Sequence, residues 1–307
     1  MAAIREQALL LGQRKSLVGI IAQDPSVGRA DLPAIVILNA GIIHRVGPNR
    51  IFVQLARLLA AAGHLVLRFD LSGVGDSDPR SDGLPPLDAA LADIREALDS
   101  LQSTRQVDRV VLVGLCSGAD HSIIYGGQDP RIAGVVLIDP SVPRTTGYYL
   151  RHYRGRMFRL QSWRNVVSIR HPLWKALRQS LTPSPATAPP GEGLDLEPLP
   201  DLQSPEVRTF LGKAYARTLS AGVQIMAVFS GGRADQHNHP RQLLEAFPDV
   251  PFGSQLRLES LGSADHTFSV EADRRRLMEL IIEWAARQFP PARDIQPAFV
   301  RQPQLPS

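Results

Sequence analysis

The chain has 307 residues, 44% of them hydrophobic and 21% charged, an ordinary globular composition that excludes a wholly disordered protein and fits one large or two small domains. Its longest apolar runs, such as 110–115 and 34–38, fall far short of the roughly 20 residues that a membrane-spanning helix needs. The net charge of +4 is unevenly spread: residues 140–191 carry nine Lys or Arg and no Asp or Glu, leaving 25 cations against 30 anions elsewhere, so the basic character marks a local anion-attracting surface rather than a nucleic-acid-binding body.

The first fifteen residues hold only a brief apolar stretch with no cleavage pattern after it, so no secretory signal is read and a cytoplasmic location is expected. Beyond them, short β-branched runs alternate with helix-like stretches, the pattern of a mostly parallel sheet flanked by helices, and the fold class expected is α/β. Strands are expected at 16–22, 34–38, 64–69, 109–114, 132–138, 223–229 and 254–259. Pro48 to Ala62 reads as a helix closed by Gly63, Leu87, Leu91, Ile94, Leu98 and Leu101 form a 3.6-period stripe, and Glu271 to Gln288 forms the last helix. The alternation stops after Asp139 and resumes near Val223. The division expected is a core of residues 1–142 and 219–289, a basic aromatic cap or lid at 143–218 with a Pro-rich linker at its end, and a flexible tail at 290–307.

The single cysteine, Cys116, can form neither an internal disulfide nor a multi-thiolate metal site. It ends an apolar strand in Gly114-Leu115-Cys116-Ser117-Gly118, just before a helical pattern. That is the layout of a nucleophile elbow: a sharp strand-to-helix turn strains its central residue and needs small residues on both sides. The elbow spacing centres on Cys116 and not on Ser117. The helix N-terminus would favour a thiolate, and the Ser117 N–H would face an oxyanion. A general base is expected after the last strand, where LESLGSADHTFS supplies His266. The acid that orients it is expected after the penultimate strand, where VFSGGRADQHNH supplies Asp235; Asp139, ending the strand before the insertion, is the rival, while Asp265 sits too close to His266 in sequence to fold back onto it. Asp235, His237 and His239 lack a matching ligand set elsewhere, so no metal is expected. The loop Asn39 to Pro48 should give the second oxyanion donor, the N–H of Ile42, with Gly41 permitting the turn and His44, Arg45 and Arg50 near the pocket mouth. Arg68 to Asp78 lacks the later glycine and helix of a dinucleotide fingerprint, so it reads as a structural turn and no cofactor is expected.

Taken in order, the NAG turn, RFDxxGxGDSD, GLCSG, a late aspartate and DHTF resemble the α/β-hydrolase superfamily over most of residues 16 to 289. Within it, IIHRVGPNRIFVQLARLLAAAGHLVLRFD, the GLC elbow, ADHTFS and the basic segment around SWRN are similar to the hydrolases associated with bacterial exosortase and exopolysaccharide loci. The dienelactone hydrolases also resemble it in their elbow cysteine. The resemblance implies a cytoplasmic bacterial hydrolase with a cysteine nucleophile and a helical cap insertion. The chain departs from the exosortase-associated group in having NAG where a double-glycine turn is expected and SGAD after the cysteine, and from the dienelactone hydrolases in its long insertion.

The chemistry expected is acyl transfer: Cys116 attacks an ester or thioester, and water resolves the acyl-cysteine. Two other classes fit the same residues, an acyltransferase acting on a coenzyme A or carrier-protein thioester and a non-catalytic binding module on the same fold. The expected partner is a small-molecule or carrier-bound acyl substrate. The cationic segment with Tyr148, Tyr149, Trp163 and Trp174 also suits peripheral contact with an anionic leaflet. No nucleic-acid partner is expected.

Overall fold

The computed structural model describes residues 4–27, 31–157, 202–233 and 236–291, with side chains of 152–157 left aside. Eight strands form one sheet: β1 (Arg5–Leu11), β2 (Leu17–Gln23), β3 (Ala34–Ile37), β4 (Val66–Phe69), β5 (Val110–Leu115), β6 (Ile132–Ile138), β7 (Gln224–Ser230) and β8 (Leu256–Leu261). Their spatial order is β1-β2-β4-β3-β5-β6-β7-β8. β2 is antiparallel to β1 and β4, and the pairings from β4 onward are parallel. This is the mostly parallel α/β architecture expected.

The helices are α1 (Ile51–Ala61), α2 (Pro86–Arg105), α3 (Ser117–Gly126), α4 (Thr146–Met157), α5 (Pro205–Ser220), α6 (Gln242–Ala246) and α7 (Glu271–Gln288). Alternate strand residues face opposite layers, as the two-residue period of a strand requires. Val36 and Leu38 pack with Ile94 and Leu98 of α2, Ile123 of α3 and Tyr215 of α5. Ile35 and Ile37 pack on the other face with Leu55 and Leu59 of α1 and Leu277, Ile281 and Trp284 of α7. The central strands β3, β5 and β6 are buried on both faces almost throughout, which is why they read as continuous apolar runs.

Three expectations change. β1 was not anticipated: four of its first five residues are exposed, and it pairs only with β2 at the sheet edge, so its sequence lacks the apolar signal of a central strand. The first turn of the helix expected from Pro48 is a 3-10 turn, with Asn49 and Arg50 at φ 51 and 59, and the regular helix starts at Ile51. The stretch assigned to the cap ends too late at residue 218, because α5 is a core helix whose Leu211, Ala214, Tyr215 and Leu219 are buried in the main cluster beside α3. Helix α4 opens the insertion, while the Pro-rich linker and the tail beyond 291 lie outside the described residues. Among the described residues no helix is long and apolar enough to cross a membrane.

The tightest backbone approach lies between β5 and α3. A Cβ added to Gly114 would sit 2.0 Å from the backbone carbon of Gly118, and one added to Gly118 would sit 2.4 Å from the Asn39 carbonyl oxygen. Backbone cannot rotate out of the way as a side chain can. Gly114→Ala is therefore expected to cost at least about 2 kcal/mol in urea unfolding, whereas Gly262→Ala, with nothing within 4 Å of its Cβ, should stay within about 0.5 kcal/mol of wild type.

Candidate active site

At the end of β5 the chain enters α3 through Cys116, whose backbone takes φ 57 and ψ −123. Such a conformation costs a non-glycine residue on the order of 1–3 kcal/mol and persists only where the surroundings impose it. Here the Cys116 N–H donates to Ile138 O at 2.9 Å, and its carbonyl accepts from Ala119 N–H at 2.9 Å and Asp120 N–H at 3.2 Å. The side chain is left half-buried at the start of α3. The hydrogen bond with His266 holds the Cys116 thiol below its ordinary pKa; burial opposes this, and the charges of His266 and Arg233 and the Ser117 N–H add to it.

His266 lies on the turn after β8. The neighbouring Asp265 folds this turn, accepting from Thr267 N–H at 2.8 Å and Ser269 N–H at 3.0 Å, and Phe268, at φ 51, buries its ring among α1 and α7. A second tie comes from Asn49, whose Nδ2 donates to Thr267 O at 3.0 Å. His266 Nδ1 is 2.8 Å from Asp139 Oδ2. The hydrogen bond with Asp139, then that with Cys116, raise the His266 pKa to about 9 against the opposing effect of burial. The two shifts run in the direction that stabilises a thiolate facing an imidazolium.

The structure places Asp139, the rival candidate, on His266; the expected Asp235 lies outside the described residues. Asp139 follows the last residue of β6 at φ 47, and its N–H donates to Val228 O at 2.8 Å, which turns its fully buried side chain toward the end of β7. There Ser230 donates to it through its N–H and its Oγ, each at 2.6 Å. Burial alone would raise the Asp139 pKa, but the contacts with His237, His266 and Ser230 outweigh it and hold the carboxyl below the usual range. His237 Nε2 lies 3.3 Å from Asp139 Oδ1, within ion-pair distance but off the line a hydrogen bond needs. His239 turns away to Glu245, at 3.6 Å. The two histidines therefore face different carboxylates.

The loop after β3 is built around buried Asp70. Asp70 accepts from Arg45 N–H at 2.6 Å, Asn39 Nδ2 at 3.1 Å and Asp76 N–H at 3.1 Å, and it pairs with the Arg45 guanidinium. Arg45 also bridges to Asp76 at 2.8 Å, so it supplies the cation that the buried Asp70 carboxylate needs. His44, half-buried, stands 3.3 Å from Asp76. Among the described residues, His44, Asp70 and Asp76 are close enough together to hold an ion. The guanidinium of Arg45, 2.7 Å from His44 Nε2 and paired with both carboxylates, already occupies that position. Gly75, at φ 56, lets the segment 70–78 wrap this aspartate, as a structural turn should.

Gly41 takes φ 57 in a turn closed by Ile43 N–H on Ala40 O at 3.0 Å, with the Ile42 side chain 90% exposed at the tip. The Gly41 N–H donates to Ser117 Oγ at 2.7 Å, which joins this loop to the elbow. Arg50, also left-handed at φ 59, is exposed before α1.

One residue at the centre of the site carries no signal in the sequence. Arg233, in the 3-10 turn after β7, brings Nη1 to 3.7 Å from Cys116 Sγ and 3.2 Å from His266 Nε2. Arg233 thus approaches both the sulfur and the His266 nitrogen that faces away from Asp139. An arginine in a Gly-Gly-Arg turn reads as a surface charge, and only the sheet order brings it to the cysteine.

A family model described as the alpha/beta hydrolase family matches residues 35–296. Among curated proteins none matches the sequence. Among solved structures, the chain is similar to the esterase Pf2001 of Pyrococcus furiosus, with 13% identity over 94% of this chain and 93% of that one and a TM-score of 0.53. It is also similar to a serine hydrolase without a lid from Xanthomonas campestris, with 15% identity, coverage of 95% and 97% and a TM-score of 0.53. A carboxylesterase structure from the ammonia-oxidizing thaumarchaeon Nitrososphaera gargenis gives 15% identity, coverage of 91% and 98% and a TM-score of 0.53. With the sheet order, the strained turn after β5 and the family match over most of its length, the chain belongs to the alpha/beta hydrolase family and is an enzyme of the hydrolase type.

Proposed function

We propose that this enzyme hydrolyses a carboxylic ester or thioester through an acyl-cysteine on Cys116, with His266 as acid and base and Asp139 as the acid that orients it. One observation carries the reading: a cysteine in an elbow conformation shares a histidine with a buried carboxylate, the histidine pKa being raised to about 9 and the thiol lowered. The esterase and carboxylesterase among the structural relatives point in the same direction.

In the proposed cycle the Cys116 thiolate adds to the carbonyl carbon, and the carbonyl electron pair moves onto oxygen. The amides of Ser117 and Ile42 are the proposed donors to that oxyanion, each worth roughly 3 kcal/mol in the transition state. The tetrahedral adduct collapses as the bond to the leaving oxygen or sulfur breaks, and His266 gives its Nε2 proton to that atom. Neutral His266 then takes a proton from water, which attacks the thioester, and collapse returns the acid product and the thiolate. Asp139 stays ionised throughout, since its contacts favour the carboxylate. A thioester suits this nucleophile because sulfur replaces sulfur, whereas an unactivated amide has a poorer leaving group. The closer likeness to exosortase-associated hydrolases, which implies a bacterial source, is part of this proposal. Product analysis with added alcohol or amine acceptors separates hydrolysis from acyl transfer.

Intact-protein mass after brief exposure to acyl-coenzyme A and nitrophenyl esters is expected to show an acyl adduct that Cys116→Ala lacks; no adduct and no product from any ester would overturn the reading. In nitrophenyl ester turnover, Asp139→Asn should lower kcat by roughly 10⁴-fold, as loss of the orienting acid does in a triad, while Asp235→Asn stays within a few-fold of wild type. The reverse order would return the acid role to Asp235. The thiol should ionise below the ordinary cysteine pKa, and its histidine partner should stay protonated until pH passes about 9. Iodoacetamide alkylation should therefore stay fast at pH 6.5, and His266→Ala should move its inflection upward; a wild-type profile like that of free cysteine would favour a non-catalytic module.

A further inference from the structure

We propose that His237 is a positioning residue of the same site: it donates through Nε2 to Asp139 Oδ1 and so limits how tightly Asp139 holds the proton on His266. The inference rests on the acyl-cysteine reading for its part in turnover, while the contact itself can be probed without substrate.

The two oxygens of Asp139 are divided evenly. Oδ2 accepts from Ser230 Oγ at 2.6 Å and from His266 Nδ1 at 2.8 Å; Oδ1 accepts from Ser230 N–H at 2.6 Å and faces His237 Nε2 at 3.3 Å. The His237 side chain is 2% exposed and that of Asp139 fully buried, so both are shielded from solvent. Among the described residues His237 Nε2 has no hydrogen-bond partner in the resting geometry, which leaves the carboxylate beside it as its acceptor. A bare lone pair at that distance would face an anion, so the tautomer with its proton on Nε2 is favoured.

The backbone on both sides of His237 is fixed. Its N–H donates to Arg233 O at 2.9 Å. Fully buried Gln242 reaches both neighbours, donating to Gln236 O at 2.9 Å and accepting from Asn238 N–H at 3.2 Å. The ring packs edge-on against Phe229, with centroids 4.9 Å apart at 73°. An apolar ring would serve that packing equally well; the nitrogen beside the carboxylate is what packing does not account for.

Charge gives the reason for such a residue. His266 faces Asp139 on Nδ1, and Cys116 and Arg233 on its other side. Asp139 first, and Cys116 second, hold its proton. Acylation makes the sulfur neutral, so in the acyl-enzyme the contact with Asp139 is what still favours the imidazolium. Breakdown of the acyl-cysteine needs neutral His266 to take a proton from water at Nε2. A carboxylate with more donors on it draws less on its histidine, so a proton from His237 on Oδ1 enlarges the neutral fraction of His266 at neutral pH.

Ring proton–nitrogen NMR of the full-length protein, assigned with His266→Ala, follows the His266 titration directly. In wild type it is expected near 9. His237→Phe keeps a ring against Phe229 and removes the donor, and should raise that value by at least about half a pH unit. His237→Asn, whose amide is too short, should follow it, whereas His237→Gln, whose amide reaches Oδ1, should stay near wild type. In nitrophenyl ester turnover at neutral pH, where breakdown of the acyl-cysteine limits the rate, His237→Phe should lower kcat by about threefold or more, the factor that half a pH unit represents, while kcat/KM, which reports acylation, holds. A His266 titration unmoved or lowered in His237→Phe and His237→Asn, as a merely structural loss would give, or a His237→Gln no different from them, would overturn the proposal. If His237→Phe fails to fold, His237→Asn carries the comparison. If His266 shifts as expected while no ester acylates Cys116, the acyl-cysteine reading fails and the contact of His237 with Asp139 stands.

Discussion

Between β5 and α3 the chain reverses within a single residue, and most of the site is arranged around the close contact that this reversal demands. Cys116 can hold φ 57 because Gly114 and Gly118 bring strand and helix backbones together where any Cβ would collide. The same contact presses Gly118 onto the Asn39 carbonyl, so the loop after β3 is docked against the elbow, and the Gly41–Ser117 hydrogen bond completes the junction. Strain at the cysteine is thus balanced by packing between the elbow and a loop more than seventy residues earlier in the sequence.

Register carries the arrangement across the sheet. Leu115 pairs with Ile138, so the next residue on each strand, Cys116 and Asp139, emerges at the same sheet end. Ile138 pairs with Val228, which places Ser230 two residues on to grip the Asp139 carboxylate. Ser230 in turn pairs with Leu261, from whose turn His266 reaches back to Asp139. Parallel strands deliver their C-terminal ends to one side, and the titratable groups gather there because the backbone does.

Two clusters near that end divide the charges differently. Around Asp70, the carboxylate, Arg45 and the loop amides satisfy one another and fix the chain, and the cation is consumed by structure. Around Cys116, Asp139 anchors a raised histidine while Arg233 and His266 both approach one sulfur, so the positive charge is held beside the cysteine. Arg45 stood out in the sequence by its place in the loop after β3, and Arg233 did not stand out; their surroundings reverse that order.

The sheet, the elbow and the late histidine were legible in the sequence because each depends on local chemistry: apolar runs for strands buried on both faces, small residues flanking a strained turn, and a histidine between the last strand and the last helix. The exposed edge strand β1 was not, since an edge needs little apolar surface, and neither was the core role of α5, whose burial depends on α3 lying beneath it. That Asp139 meets His266 and that Arg233 reaches the sulfur were decided only by the tertiary structure. Both depend on which strand ends lie side by side, and that order joins Asp139 to His266 and Cys116 to Arg233 across more than a hundred residues of chain, which a local pattern does not encode.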